Sequence, residues 1–263
     1  MARRAPEFTV WSVSMRHLLI RCLLLASLAS LGGCATTHPG DPLEPLNRKV
    51  FAFNDALDRT VLEPTAKAYR AVTPSPVRKG VSNFFGNIGD LWSAVNSFLQ
   101  FKVADGLHST MRVGLNTFFG LGGLLDIASE AGLYAVPEDF GQTLGHWGLG
   151  PGPYLVLPLL GPSTLRDTVA LPVDMQASPS NLLTSDPATR YGITGLRVVD
   201  TRTRLLDTTR MLEDAALDKY LFTRDAWLQR RRNLVYDGAP PPEKDEEDWD
   251  SAAPAPAAAA SRP

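Results

Sequence analysis

From Val77 to Gln100 the apolar residues fall at Val77, Val81, Phe84, Phe85, Ile88, Leu91, Trp92, Val95, Phe98 and Leu99. Steps of three and four repeat without a break, which is one apolar face on an α-helix. The opposite face carries Arg78, Lys79, Ser82, Asn83, Asn87, Asp90, Ser93, Asn96 and Gln100. Gly80, Gly86 and Gly89 each cost such a helix about 1 kcal/mol relative to alanine, and that cost predicts close packing or a kink. Leu107, Met111, Leu115 and Phe118 continue the period. Further helices are expected at Leu46 to Ala71, Gly122 to Glu130, Thr164 to Asp174, Thr203 to Tyr220 and Arg224 to Tyr236. Thr164-Leu-Arg-Asp167 after Pro162 reads as a capped helix start, with Ser163 as a capping residue. Tyr154-Leu-Val-Leu-Pro158, set among glycines and prolines, reads as a short strand or extended segment. The class is mainly α.

Two stretches, Val113 to Leu125 and Trp147 to Leu165, carry no charged side chain. The second is nominally long enough to span a bilayer. Pro151, Pro153, Pro158 and Pro162 rule out a continuous helix there. It is either a buried core loop or a glycine-rich wall around an opening in a body sunk into one leaflet, since irregular backbone at membrane depth must pair with protein or line a cavity. On the second reading Gly120, Gly122 and Gly123, with Gly148, Gly150 and Gly152, are candidates for a channel rim or hinge.

Ahead of all this lies an uncharged run from Cys22 to Gly33 with Arg16 and Arg21 on its amino side, the layout of a secretory signal. Its end, Leu31-Gly32-Gly33-Cys34, resembles a bacterial lipobox. Residues 1–33 are then a removed signal peptide. Cys34 is the lipidation site and residues 34–40 are a tether, with a thiol as the nucleophile that accepts the lipid. More than one acyl chain, palmitate among them, makes such an anchor stable. Cys22 leaves with the signal and Cys34 is acylated, so no pair remains for a disulfide. At the far end, Pro240-Pro241-Pro242, Glu243-Lys-Asp-Glu-Glu-Asp248 and an Ala/Pro run are too poor in apolar area to offset chain entropy. Residues 237–263 are expected to be a disordered tail and residues 41–236 a single folded domain.

The signal takes away four basic residues, Arg3, Arg4, Arg16 and Arg21, but only one acidic residue, Glu7. The chain that remains is acidic, which excludes the basic footprint of a nucleic-acid binder. Asp139-Phe140-Gly141 spells a kinase magnesium motif, but no glycine-rich nucleotide loop or catalytic loop accompanies it. His38, His108 and His146 have no partners at metal spacing, so no metal or other cofactor is expected. Ser163 lies outside a Gly-x-Ser-x-Gly elbow, and no lipase site is indicated. Asn47-Arg48 has two readings: a local bridge from Arg48 to Glu44 or Asp58 that fixes the first helix, or a cation placed where a lipid phosphate passes. Asn54 shares that choice. Arg230-Arg231-Arg232 beside Trp227 is either a solvated face or a dock for a carrier or anionic headgroups.

Asp41-Pro-Leu-Glu44, Asn47-Arg48, Phe51-Ala-Phe53-Asn54, Val81-Ser-Asn-Phe-Phe-Gly-Asn87 and Asn96-Ser-Phe-Leu-Gln100 together resemble the MlaA (VacJ) family of outer-membrane lipoproteins. The resemblance runs on through Gly120-Leu-Gly-Gly-Leu-Leu-Asp126, Asp139-Phe-Gly-Gln-Thr-Leu-Gly145, Trp147-Gly-Leu-Gly-Pro-Gly-Pro-Tyr-Leu-Val-Leu-Pro158 and Gly161-Pro-Ser-Thr-Leu-Arg-Asp167. It implies a single ring-like helical domain in the inner leaflet of the outer membrane, lipid-anchored on the periplasmic side. It also implies retrograde intermembrane phospholipid transport: mislocalised phospholipids leave the outer leaflet and pass to a periplasmic lipid carrier, MlaC-like, maintaining lipid asymmetry. A trimeric outer-membrane porin is the implied partner. Ala35 after the lipidated cysteine fits outer-membrane export of a bacterial lipoprotein. Moving a lipid breaks no bond, so the expectation is a non-enzyme with no catalytic residue. Two other classes stand beside it: a structural or scaffolding lipoprotein without lipid transfer, and a lipid-modifying hydrolase, which lacks a nucleophile–base pair.

Overall fold

The structure, a computed structural model, describes residues 41–242. Cys34, the signal peptide, the tether and the tail beyond residue 242 lie outside the described residues. Ten α-helices and one hairpin follow in order among them: α1 (Glu44–Leu57), a π-helical turn (Asp58–Leu62), α2 (Glu63–Val72), α3 (Ser75–Leu99), α4 (Val103–Phe118), α5 (Ile127–Glu130), α6 (Phe140–His146), β1 (Tyr154–Leu157), β2 (Gly161–Thr164), α7 (Leu165–Gln176), α8 (Pro179–Leu183), α9 (Pro187–Ala215) and α10 (Lys219–Val235). Pro64 has no N–H to return to the preceding turn, and the chain widens to the π-helical turn just before it. None of the described helices is long and apolar enough to cross a membrane.

The chain divides into two compact units. The first joins residues 41–55 to residues 152–165. Its strands pair antiparallel, with Tyr154 opposite Thr164 and Leu157 opposite Gly161. Tyr154 and Val156 are buried. Asn47 of α1 is 1 % exposed and clamps β1: its amide donates to the Tyr154 carbonyl at 3.0 Å and its oxygen accepts from the Val156 N–H at 2.9 Å.

The second unit comprises residues 56–151 and the chain from Arg166 onward. Its central pair, α3 and α4, is inside out. The residues α3 buries are Phe85, Asn87, Asp90, Ser93, Ala94, Asn96 and Ser97, while Leu91, Val95, Phe98 and Leu99 are exposed. On α4, Gly106, Ser109, Arg112 and Asn116 are buried, and Val103, Leu107, Met111 and Phe118 are exposed. A Cβ on Gly106 would sit 2.6 Å from the Phe98 ring, so only glycine lets the helices approach this closely there. Of the close packing or kink expected of the glycines in α3, close packing is absent at Gly86 and Gly89, because a Cβ on either would meet nothing within 4 Å. Both line a cavity instead.

Elsewhere α2 packs on α9 through buried Ala66 and Leu206, and Arg202 grips Asp58 with two hydrogen bonds of 2.7 and 2.8 Å. Several expectations shift. The helix expected at Thr203 to Tyr220 starts at Pro187, where the Asp186 side chain accepts from the Thr189 N–H at 2.8 Å, and it ends before Asp218 caps α10. The helix expected from Gly122 shrinks to α5, because Gly122 and Gly123 are in the left-handed region. Thr164 and Ser163 are strand residues rather than the first turn of the helix, which starts at Leu165, and the Ser163 hydroxyl donates to the Thr164 carbonyl at 3.2 Å.

Candidate functional site

The buried seam between α3 and α4 is a hydrogen-bonded polar network. Arg112 donates from Nε to Asp90 at 2.9 Å, from Nη1 to Ser129 and the Leu133 carbonyl, and from Nη2 to Asp126 at 3.4 Å. Asn116 donates to Asp126 at 3.1 Å and accepts from the Ala128 N–H at 2.8 Å. At the far end of α3, the Gln100 amide donates to Glu138 at 2.8 Å and to Thr143 at 3.1 Å, and Thr143 donates to Asn96 at 2.9 Å. Lys102 pairs with Glu138 at 3.2 Å. Burial favours the neutral acid at Asp90 and Glu138 and pushes both above the usual carboxylate range against the pull of Arg112 and of Gln100 and Lys102. Asp126 is also penalised by burial, but Ser129, Asn116 and Arg112 outweigh that and lower it.

Beside this seam is a cavity of about 800 Å³ within the second unit. Gly86, Gly89 and Trp92 of α3 form part of its wall, with residues of α7, α9 and α10. The sequence Asp139-Phe140-Gly141 lies at the start of α6. Asp139 caps the helix by accepting from the Gln142 N–H at 2.8 Å, and it holds Arg231 of α10 through two bonds of 2.6 Å. Arg231 also donates twice to Asp167, at 2.9 Å each. A Cβ on Gly141 would lie 2.5 Å from both Arg231 and Asp167. Burial works against both charges of the pair, but the mutual attraction wins: Asp139 is lowered and Arg231 is raised.

The residues singled out in the sequence separate into groups. Asn47 and Asn54 both tie α1 to the hairpin segment: Asn54 donates to the Leu157 carbonyl at 2.9 Å and accepts from the Leu159 N–H at 2.8 Å. Arg48 bridges to Glu44 at 2.7 Å, and Asp58 is taken by Arg202. Gly120, Gly122 and Gly123 form the turn that ends α4. The Gly122 N–H returns to Thr117 at 3.0 Å and the Gly123 N–H to Asn116 at 2.8 Å. A Cβ on Gly120 would fall 2.2 Å from the Leu125 carbonyl oxygen, whereas Gly122 has open space but a φ of +74°. Gly148 has a φ of +93° in open space, Gly150 meets nothing, and Gly152 has a φ of +67° with Leu165 3.0 Å from where its Cβ would be. Of the three arginines, Arg231 is consumed by its carboxylates, Arg230 lines the cavity, and Arg232 donates to the Pro241 carbonyl. Arg112 and Asp90 belong to one buried polar cluster and Glu138 to a second, and the sequence pattern assigns none of the three a role. The helical period placed Asp90 on a polar face, but periodicity does not say that this face is the buried one.

On α3 and α4 a buried polar face under an exposed apolar one is the reverse of a water-exposed helix pair, and comparison with known families bears on what it is for. The model of the MlaA lipoprotein family matches residues 39–234. The chain belongs to that family. It is 36% identical, over 81% of its length and 88% of theirs, to the intermembrane phospholipid transport system lipoproteins MlaA of Shigella flexneri and of Escherichia coli strain K12. The protein of the same description in Haemophilus influenzae is 31% identical over 85% of this chain and 93% of its own. A solved structure described as the structural basis for maintenance of bacterial outer membrane lipid asymmetry superposes with a TM-score of 0.65 and 38% identity. That match covers 74% of this chain and 98% of the other. The mainly helical class with one short hairpin is thus the architecture of an MlaA family member.

Proposed function

We propose that this chain is an outer-membrane lipoprotein of intermembrane phospholipid transport, which takes phospholipid from the outer leaflet and hands it to a periplasmic carrier. The observation that carries the reading is the inversion of α3 and α4. Leu91, Val95, Phe98, Val103, Leu107, Met111 and Phe118 face outward while Asp90, Asn96, Arg112 and Asn116 face inward. Exposed apolar area of this extent is costly in water, at about 25 cal/mol per Å², and favourable against acyl chains. Large exposed apolar patches mark membrane or partner surfaces. With Cys34 acylated, the protein has two attachments to one leaflet, which suits anchoring without a spanning helix.

The cavity supplies the other half of the task. A phospholipid has a charged head and two apolar tails, so a path for it needs polar groups inside and apolar groups outside. The transfer makes and breaks no covalent bond, so the reading requires no catalytic group. A trimeric porin and a soluble MlaC-like carrier complete the proposed route, the porin holding the lipoprotein in place.

Purification of the full lipoprotein from membranes in mild detergent tests the reading. Intact phospholipid and a trimeric porin should accompany it, and labelled phospholipid should be returned uncleaved. Recovery free of both lipid and porin would contradict it, and release of fatty acid would point to a hydrolase.

A further inference from the structure

The two halves of α7 are held by different means. Asp167, Ala170 and Asp174 follow one another at steps of three and four, so they share a face, with the two carboxylates about 10.5 Å apart along the axis. In the first half Arg166 and Ala170 are buried, and Asp167 takes two bonds of 2.9 Å from Arg231. In the second half no residue from Leu171 to Ser178 is buried, and Val173, Met175 and Gln176 are exposed. The halves meet at Pro172, which lies inside the helix and has no N–H, so a helical hydrogen bond is missing there. The last backbone bonds of the second half are long, with the Ala177 N–H 3.3 Å from the Val173 carbonyl and the Ser178 N–H 3.2 Å from that of Met175. Pro179 and Ser180 of α8 are buried again. Residues 173–178 are therefore a short span between a proline break and a fixed helix.

Among the described residues, one side chain of this span is hydrogen-bonded to α3 and α6. Oδ1 of Asp174 accepts from the Trp92 indole N–H at 2.8 Å and from the Phe140 N–H at 2.9 Å. Burial, and after it the nearby Asp139 charge, pushes the Asp174 carboxyl up against the pull of the Phe140 N–H, Trp92 and Arg231. Contact with water relieves that burial, which lowers the cost of releasing Asp174. Asp167 has no such relief to gain, because a guanidinium already matches its charge. Leu171, Asp174, Met175, Ala177 and Ser178 line the same cavity as Gly86, Gly89 and Trp92, so the span is one of its walls.

We propose that residues 173–178 are a strap over the cavity, hinged at Pro172 and latched by Asp174 to Trp92 and to the start of α6, and that release of the latch widens the cavity on the side of α7. Short segments fixed at both ends control access to many enclosed sites in this way. The strap acts on access whatever molecule enters, and so does not rest on the phospholipid-transport reading.

Hydrogen–deuterium exchange on the full-length lipoprotein in detergent tests the strap, since exchange reports local opening. Amides of residues 173–178 should exchange faster than those of residues 165–171. Asp174→Ala should speed exchange of the span by about tenfold, the scale of a lost charge-assisted hydrogen bond, and leave residues 165–171 and the melting temperature nearly unchanged. Trp92→Phe, which keeps a ring but removes the indole donor, should act in the same direction with a smaller effect. A second readout places a thiol in the cavity at Gly89→Cys, where a Cβ meets nothing within 4 Å. Its labelling by a bulky water-soluble maleimide, with the unsubstituted chain as the blank, should be several-fold faster when Asp174→Ala is added. If circular dichroism shows Asp174→Ala unfolded, Trp92→Phe carries both comparisons. Exchange and labelling equal to the parent would overturn the latch. Faster exchange spread evenly through α3, α6 and both halves of α7 would also overturn it, because Asp174 would then be an ordinary packing contact.

Discussion

Arg112 and Asp90 meet at 2.9 Å in the seam of α3 and α4, with side chains only 5 % and 8 % exposed. A buried pair of this kind is costly to form and more costly to break, because removing one partner leaves the other charge without compensation. Here the pair is also the centre of a larger set of bonds to Ser129, Leu133 and Asp126. The polar seam therefore sets how α3, α4 and α5 dock, a task that apolar side chains perform in most helical proteins.

Arg112→Ala should destabilise the fold by about 3–5 kcal/mol, the range for an orphaned buried charge. The double change Arg112→Met with Asp90→Leu should be much less damaging than the single change. Thermal unfolding in detergent measures both, and a single variant as stable as the parent would show that the seam is not structural.

The outward faces should behave in the opposite way. Leu91→Ser and Leu107→Ser remove apolar area from exposed positions, so the melting temperature in detergent should change little, within about 0.5 kcal/mol per site. Flotation with liposomes, run in a Cys34→Ser background to remove the lipid anchor, should fall. Ser93→Leu, at a buried position, should unfold the protein instead. Unchanged flotation would mean that these faces meet protein and not lipid.

Much of this arrangement was legible in the sequence, and the reason for the remainder is specific. The period of three and four located α3 and α4, because any helix with one apolar face shows it. Periodicity is blind to sign: it cannot say whether Leu91 or Asp90 faces inward, and that is decided by the surrounding medium. The glycine and proline pattern located β1, and the Arg48–Glu44 bridge was readable as a spacing of four. The first half of α9 was missed because its apolar residues, such as Leu196 and Val198, are exposed and form no clean stripe. Arg231 and Asp139 lie 92 residues apart, and no local pattern connects them. A motif that spells a kinase signature is here a helix cap with a distant arginine.

That pairing predicts a pH dependence. Asp139 has a folded pKa below its usual 3.8, so its contribution is fully present above that value. It is lost as pH falls through the depressed folded value, where the unfolded chain binds the proton more tightly. Asp90, Glu138 and Asp174 are raised by burial and act in the opposite sense, favouring the folded state as the pH falls toward their ordinary values. Asp139→Asn should therefore be less stable than the parent at neutral pH, and the difference should shrink as the pH falls below the ordinary aspartate value. Melting curves across that window check the prediction, and parallel curves for the two proteins would contradict it.

The turn after α4 separates packing from conformation. Gly120→Ala would force a Cβ against the Leu125 and Asn116 carbonyls, at 2.2 and 2.4 Å, so the protein should be degraded in cells. Gly122 has room but a left-handed φ. Gly122→Asn should be tolerated, whereas Gly122→Val should cost about 1–3 kcal/mol in backbone strain. Immunoblots of membrane fractions distinguish these outcomes. If Gly122→Val accumulates normally and lipid asymmetry is disturbed, the turn also acts as a rim or hinge for lipid passage.

The account stands or falls on where phospholipid resides when the protein is absent. Labelling intact cells with a membrane-impermeant amine reagent reports phosphatidylethanolamine in the outer leaflet. Cells lacking the lipoprotein should label several-fold more strongly than the parent, and the full chain, but not its Cys34→Ser form, should restore the parental level. Equal labelling with and without the protein would contradict a role in phospholipid transport.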